Sequence, residues 1–423
     1  MVKKYLVIII FLIAGFKSKA QDLSEKLTAA AMKTWPDTAK NAYQNGFLMQ
    51  AMADVWQSTA QADHYNYIKK SVNSLLEQND FATLKLMPQT VNAIRLLYNV
   101  SGEEKYYKAL LKLNQSDFTF DPDLSSPKQK ITQPAFNQLL NRLTQKSADG
   151  TISFKTTDAN EAGKLISAAN NLKLAAIPKS GNGKTVMLDS YFNNEYLKNA
   201  AGQTVSFHYK WDELDNNGFY FFKNVFQYRG AKTATLNAAP TAQNLKGSDI
   251  YIIVDPDTQK ETEKPNYVNQ QDATAVADWV KAGGVLLVLA NDAGNCDLEH
   301  LNILTEKFGM HFNEDSRNKV TGNQFEMGAL QIPPTDPVFK TAKKVYIKEI
   351  STFKLSPPAV ASFTEGKEVI VATAKYGKGS VFAVGDPWFY NEYTDGRKLP
   401  ASFDNFKACQ DLVSWLLKQV PAK

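Results

Sequence analysis

An α/β fold built on a parallel sheet, preceded by a smaller all-α region, follows from three features of the sequence. Ile250–Val254 and Val285–Ala290 are unbroken apolar runs with a β-branched bias. Between them, Asp272–Lys281 has helical spacing, with Ala273, Val276, Ala277 and Val280 on one face and Gly283–Gly284 at its end. Continuous apolar strands flanking a helix define a parallel βαβ unit whose sheet is covered on both faces. In such sheets ligands bind outside the carboxyl ends of the strands. Here those ends carry Asp255, Asp257, Asn291 and Asp292.

The chain has 423 residues, enough for two or three domains and a large core. Residues 1–20 read as a secretory signal peptide. Lys3 and Lys4 precede an apolar run from Tyr5 to Phe16, and Ser18-Lys19-Ala20 forms a small-x-small cleavage site. The run is too short for a membrane anchor. Cleavage after Ala20 is expected to release a periplasmic or secreted protein starting at Gln21, with no membrane attachment. Losing Lys3, Lys4, Lys17 and Lys19 lowers the formal charge from +5 to +1, so the basic pI gives no ground for a nucleic-acid partner.

Residues 21–117 are expected to form helical hairpins. Four apolar faces carry this: Phe47, Ala51 and Val55; Tyr65, Ile68, Val72 and Leu75; Val91, Ile94 and Leu97; Tyr106, Leu110 and Leu113. A weak repeat aligns Asp63–Tyr67 with Glu104–Lys108 at a spacing of 41 residues, the length of one stacked hairpin unit. Two or three hairpins leave an open end, which predicts docking on another domain or on a protein partner. Residues 118–183 are a connector, with helices over Phe136–Thr144 and Asp158–Leu172, a strand over Thr151–Thr156 and a turn at Asp149-Gly150. The α/β domain covers 184–423. Its further elements are a strand over Thr185–Leu188 ending at Asp189, a helix over Phe219–Arg229 and a short strand over Thr233–Leu236. They continue with a helix over Leu298–Phe308, a hairpin of Val369–Ala374 with Ser380–Val384 ending at Gly385-Asp386, and a closing helix over Phe403–Lys418.

Four apolar strands thus end in an aspartate: Asp189, Asp255, Asp292 and Asp386. One such residue commonly caps a helix or fixes a turn. Four on one parallel edge, with strands about 4.8 Å apart, would span roughly 15 Å. Polar and aromatic neighbours accompany each: Asn194 and Glu195; Asp257; Asn291 and Asn295; Trp388, Asn391 and Glu392. With His208, Lys210 and Trp211 from the loop after the first strand, this set predicts recognition of a polyol, since carboxylates and amides bind hydroxyls and rings stack on C–H faces. The same oxygens suit Ca²⁺, but no loop has EF-hand spacing. His64, His300 and His311 form no metal spacing, so no metal or other cofactor is expected. Cys296 lacks the second glycine of a nucleophile elbow, and Asp297 and Glu299 disfavour its thiolate. Cys409 shares a helical face with Phe406, Val413 and Leu416, which marks a core thiol and not a bridge to Cys296. Gly181–Thr185 imitates a phosphate loop, but Pro178 replaces its first glycine and the segment enters a strand.

Several segments of the C-terminal half carry a resemblance to known domains: Leu188–Glu195, Phe207–Trp211, Tyr251–Thr258, Trp279–Gly284, Asn291–Asn295 and Tyr376–Tyr393. Through them, residues 184–420 resemble the glutamine-amidotransferase-like domains of the trehalose-utilisation type, as appended to bacterial unsaturated rhamnogalacturonyl hydrolases. The resemblance implies a flavodoxin-like three-layer fold. It does not imply amidotransfer, because the nucleophile elbow and its His-x-Glu partner are missing. Tyr43–Trp56, His64–Lys69 and Leu97–Leu110 are similar to the first hairpins of a family 105 glycoside hydrolase, a partial α/α toroid. That family has a Leu-Asp pair where this chain has Leu86-Met87-Pro88-Gln89, and the later barrel with the second catalytic aspartate is absent. The expectation is an accessory, non-catalytic sugar-binding protein of pectin or rhamnogalacturonan use. The alternatives are an unsaturated rhamnogalacturonyl hydrolase and a structural partner that completes another protein's toroid.

Overall fold

The computed structural model describes residues 23–36, 45–124, 131–200 and 202–422, so the expected signal segment lies outside the described residues. The chain is a mixed α/β protein with a mostly parallel central sheet and an N-terminal helical region. It divides into two compact units, one up to Pro178 and one from Lys179.

The first unit contains a helix over 23–34, then Gly46–Thr59, Ala62–Gln78, Phe81–Leu84, Pro88–Ser101, Glu104–Lys112, Gln133–Leu143 and Ala159–Ala175. A small hairpin pairs β1 (Thr144–Lys146) with β2 (Ile152–Phe154) around the turn at Asp149-Gly150. The helix Gly46–Thr59 is apolar on most of its circumference, and Leu48, Met49, Met52, Val55 and Trp56 are all fully buried. Such a helix needs cover on every side. The connector supplies one side, because Ala159–Ala175 lies along it. The contact is sealed by polar pairs: Ser58 donates to Asn170 Oδ1 (2.8 Å), and Ser167 donates to Asp54 Oδ2 (2.9 Å). Gly163 sets the distance. A Cβ there would fall 2.5 Å from the carbonyl carbon and oxygen of Phe47.

The second unit holds the sheet. Its strands are β3 (Thr185–Asp189), β4 (Tyr196–Lys198), β5 (Thr204–Ser206), β6 (Lys232–Leu236), β7 (Ile250–Val254), β8 (Val285–Leu289) and β9 (Met310–Phe312). There follow β10 (Ala329–Gln331), β11 (Lys344–Tyr346), β12 (Phe353–Leu355), β13 (Ala359–Glu365), β14 (Glu368–Tyr376) and β15 (Gly379–Val384). The central order is β6-β3-β7-β8-β15-β14-β12-β9, with β13 also pairing on β14. The first five strands are mutually parallel. The rest add an antiparallel extension: its β14–β15 hairpin matches the expected one, whereas β9, β12 and β13 were not foreseen.

Both faces of β7, β8 and β15 are buried, which is why they read as continuous apolar runs. Ile250, Ile252 and Val254 pack beneath Phe222 and Phe226 of the helix Tyr220–Tyr228 and Leu412 and Leu416 of Asn405–Gln419. Tyr251 and Ile253 face Val276 and Val280 of Gln270–Ala282 and Leu301 of Leu298–Thr305. Asn269 and Asp272 form a reciprocal capping box at the start of the helix between β7 and β8. Gly284 follows it beneath Trp279, where a Cβ would fall 2.4 Å from the indole. The chain runs from β3 out to β6 and back across β3 to β7, so sheet growth reverses there. The strand ends at such a reversal form the usual ligand crevice.

Gly163→Ala is expected to destabilise the full chain by about 1–3 kcal/mol, because backbone atoms have to give way. Lys164→Ala beside it, on an exposed side chain, serves as the control and should change stability by less than about 0.5 kcal/mol. Urea midpoints of the two variants decide; equal midpoints would refute the tight helix contact.

Candidate functional site at the carboxyl edge of the sheet

The ends of β3, β7, β8 and β15 lie side by side, so Asp189, Asp255, Asp292 and Asp386 share one edge. Their surroundings differ. Asp189 is fully buried. Its Oδ1 accepts the backbone N–H groups of Tyr191 (3.1 Å) and Phe192 (2.8 Å), and its Oδ2 accepts the Tyr251 hydroxyl (2.6 Å). This carboxylate folds the start of the next loop. Asp292 Oδ1 accepts from Asn295 Nδ2 at 2.6 Å, closing the turn after β8. Asp386 Oδ2 accepts the Lys348 N–H at 3.0 Å, and burial pushes its carboxyl well above the ordinary range.

Asp255 is the exceptional one. Its backbone has φ of 40°, a left-handed value that costs a non-glycine residue energy. Oδ2 accepts from Asn291 Nδ2 at 3.1 Å, while buried Oδ1 has no well-formed hydrogen bond among the described residues. The Tyr209 hydroxyl lies close enough to hold the Asp255 carboxyl down, but burial and the Glu261 charge outweigh it, and the carboxyl sits well above its ordinary value. His208 and Tyr209 also have left-handed φ, 67° and 58°. The His208 ring stacks between Phe207 and Tyr209, and its Nδ1 lies 2.8 Å from Glu195 Oε1. The Tyr209 hydroxyl is pushed up first by burial and then by the charges of Asp255, Asp386 and Glu195, which places all four groups in one electrostatic cluster.

The other expected residues have structural duties. Buried Lys210 donates to the Asn193 carbonyl (2.6 Å) and to its Oδ1 (2.7 Å), and burial lowers the amine's pKa. Asn194 donates its N–H to Asp257 Oδ2 at 2.9 Å. Trp211 sends its indole N–H to the Ala234 carbonyl at 3.0 Å, and Trp388 is fully buried against Phe339 and Phe389. Both rings belong to the core and offer no stacking face at the edge. Asn391 is also fully buried, donating to the Glu213 and Asp215 carbonyls (2.9 and 2.7 Å). Glu392 pairs with Lys398 at 3.3 Å. Glu213, which the sequence did not single out, accepts the N–H groups of His208 and Lys210. Burial raises its carboxyl to about 8.

The open space lies beside this cluster. A cleft of about 470 Å³ is lined by Thr258, Lys260, Tyr267, Asp297, Glu299 and Glu314, among others, from the loops after β7 and β8, the start of the following helix and the segment after β9. Cys296 forms part of its wall, buried and free, with its thiol pushed well above the ordinary range by burial and by the Asp255 charge. That disfavours a thiolate nucleophile. Cys409 is likewise free and buried, so the two are not bridged. Asp297 caps the helix Leu298–Thr305, and its Oδ1 lies 2.9 Å from His300 Nδ1. The His300 ring stacks on Tyr267 at 4.4 Å. Among the described residues no group of three or more histidine, cysteine and acidic side chains has a metal-holding arrangement. The cleft residues come from irregular loops, where the only sequence signal is their position just after a parallel strand.

A mixed α/β protein with an acidic cleft at the carboxyl edge of its sheet is the class that fold and site define. No protein-family model matches the chain, and no curated protein matches it. Among solved structures, the N-terminal domain of mmIFT52 aligns at 17% identity and a TM-score of 0.41, covering 55% of this chain and 97% of that one. The cytoplasmic protein STM1381 from Salmonella typhimurium LT2 aligns at 13% identity and 0.34, covering 48% and 87%. The exo-β-1,4-mannosidase Op5Man5 from Opitutaceae bacterium strain TAV5 aligns at 12% identity and 0.31, covering 54% and 35%. Likenesses this loose carry no weight for the chemistry. No helix among the described residues is long and apolar enough to cross a membrane.

Asp257 provides a pH test of the edge. Its Oδ2 accepts from Asn194 and Thr262, its Oδ1 is buried without a partner among the described residues, and burial raises its carboxyl from 3.8 to about 6. A raised acid favours folding in its protonated form. Its stabilisation is complete below 3.8 and is lost as pH rises through about 6. Asp257→Asn is therefore expected to gain stability relative to the wild type across that window. Denaturant midpoints measured from acid to neutral pH check this; a difference that stays flat or falls contradicts it.

Proposed function

We propose that the protein is a carbohydrate-associated, non-catalytic protein that binds an oligosaccharide or other polyol at the carboxyl edge of its sheet. The observation that carries this reading is the cleft after β7 and β8, which combines a hydroxyl (Thr258), an amine (Lys260), carboxylates (Asp297, Glu299, Glu314) and a phenol ring (Tyr267). Those groups supply donors, acceptors and a C–H stacking face in a volume within the range of small-ligand sites. Left-handed backbone at His208, Tyr209 and Asp255 alongside gives the edge the local strain that functional sites carry.

The parallel strands follow the order 2-1-3-4-5 when counted along the chain, the flavodoxin-like order. This supports reading residues 184–423 as a glutamine-amidotransferase-like domain. With that reading goes the place in pectin or rhamnogalacturonan use, in the periplasm or outside the cell after cleavage at Ala20. A glycosidase reading draws on the Glu195–His208 pair at 2.8 Å, an acid–base couple at the rim of the buried carboxyls. A partner surface on the helical unit draws on Leu86, which is 81% exposed.

Calorimetric titration of the full chain with a panel of short oligosaccharides, rhamnogalacturonan fragments included, is expected to give saturable binding to at least one member. Tyr267→Ala, at a half-buried position, should weaken that binding about tenfold without lowering the melting temperature. Cleavage products from unsaturated disaccharides would move the assignment to the glycosidase. Silence across the panel, or full affinity in Tyr267→Ala, would remove the cleft as the site.

A further inference from the structure

We propose that one face of the β4–β5 hairpin is a second contact surface for the oligosaccharide, and that it takes a carboxylated sugar of that ligand. The inference rests on the polyol reading and extends it from the cleft to its rim. In the hairpin Tyr196 stands opposite Ser206 and Lys198 opposite Thr204, so these four side chains share one face, with Leu197 and Val205 on the other. All four are exposed, Tyr196 at 58%. A two-stranded ribbon is marginal by itself and gains stability by packing a face. This one leaves a whole face open to solvent. Tyr196 is also the only exposed aromatic residue among the described residues. A lone exposed ring means little. Its companions give it meaning: an amine and two hydroxyls stand beside it, with no carboxylate on that face. The face thus joins a ring for a sugar C–H edge, hydroxyls for hydroxyls and a cation for a carboxylate. The Lys198 amine has no ion-pair partner among the described residues.

The hairpin leaves the sheet at the rim of the cleft. Asn194, just before β4, donates its N–H to Asp257 Oδ2 at 2.9 Å, and the adjacent Thr258 lines the cleft. Asn266 Nδ2 donates to the Tyr191 carbonyl at 2.9 Å, which ties the loop after β3 to the stretch that carries Tyr267. At the root of the ribbon, Phe207 donates its N–H to the Glu195 carbonyl at 3.0 Å, and Glu195 Oε1 meets His208 Nδ1. The stacked rings of Phe207, His208 and Tyr209 join that root to the core. Cleft and hairpin differ in charge. The cleft sets Asp297, Glu299 and Glu314 against Lys260, which favours a neutral sugar there, whereas Lys198 on the hairpin meets a carboxylate. An oligosaccharide that carries both kinds of sugar complements the two surfaces together.

The test titrates the full chain with a rhamnogalacturonan tetrasaccharide, as the free acid and as its methyl ester, which removes the charge and keeps the rings. At low ionic strength the free acid is expected to bind about fivefold more tightly than the ester, a margin that high salt removes. Lys198→Gln should bring the acid down to the affinity of the ester and leave the ester unchanged. Tyr196→Ala should weaken both about fivefold. Both side chains are exposed, so the melting temperature should stay that of the wild type. Equal affinity for acid and ester, or wild-type affinities in the two variants, overturns the hairpin surface and leaves polyol binding in the cleft standing. Failure of both sugars to bind removes the two together.

Discussion

The carboxylate of Asp189 is the constraint on which the functional edge depends. It sits at the end of β3, fully buried, and takes the backbone N–H groups of Tyr191, Phe192 and Asn193 from the next turn and the hydroxyl of Tyr251 from β7. Ordering that turn puts Asn193 where its amide donates to the Asp255 carbonyl at 3.0 Å while its oxygens receive Lys210. Asn194 then meets Asp257, and Glu195 meets His208. One buried acceptor thus organises the loops around the point where sheet growth reverses. A buried polar group is tolerated when hydrogen bonds satisfy it, and Asp189 meets that condition more fully than Asp255.

The contrast between those two aspartates separates scaffold from site. Asp189 spends all its capacity on the fold. Asp255 keeps a buried oxygen without a well-formed bond, in a strained backbone conformation, beside a tyrosine that also feels Asp386 and Glu195. Carboxyls pushed up by burial, such as Asp255 and Asp386, favour their neutral form, in which each gains a donor as well as an acceptor. The edge therefore passes from buried carboxyls inside to Asp297, Glu299 and Glu314 lining the open cleft.

Much of the fold was legible because burial on both faces leaves an unmistakable mark. β7 and β8 read as uninterrupted apolar runs, and the helix between them carried its period and its terminating glycines. Of the antiparallel extension only the β14–β15 hairpin was legible, since β9 and β12 are three residues each, too short for a period to show. Of the site, the placement of four aspartates on one edge followed from parallel topology. Their roles did not, because a strand-end aspartate that folds a turn and one left half-satisfied have the same sequence signature. Trp211 and Trp388 read as stacking surfaces from their loop positions, yet their size made them better used as core. Tyr267 and Glu314 lie in irregular segments with no pattern to mark them.

The central claim is that a polyol ligand sits at the carboxyl edge, between the loops after β7 and β8. Amide hydrogen exchange of the full chain, with and without saturating sugar, tests it most directly. The account predicts added protection at residues 256–268, 292–300 and 313–315, with the helical unit and the opposite edge of the sheet unchanged. Protection that appears in the helices of residues 46–112 instead, or nowhere, would contradict it.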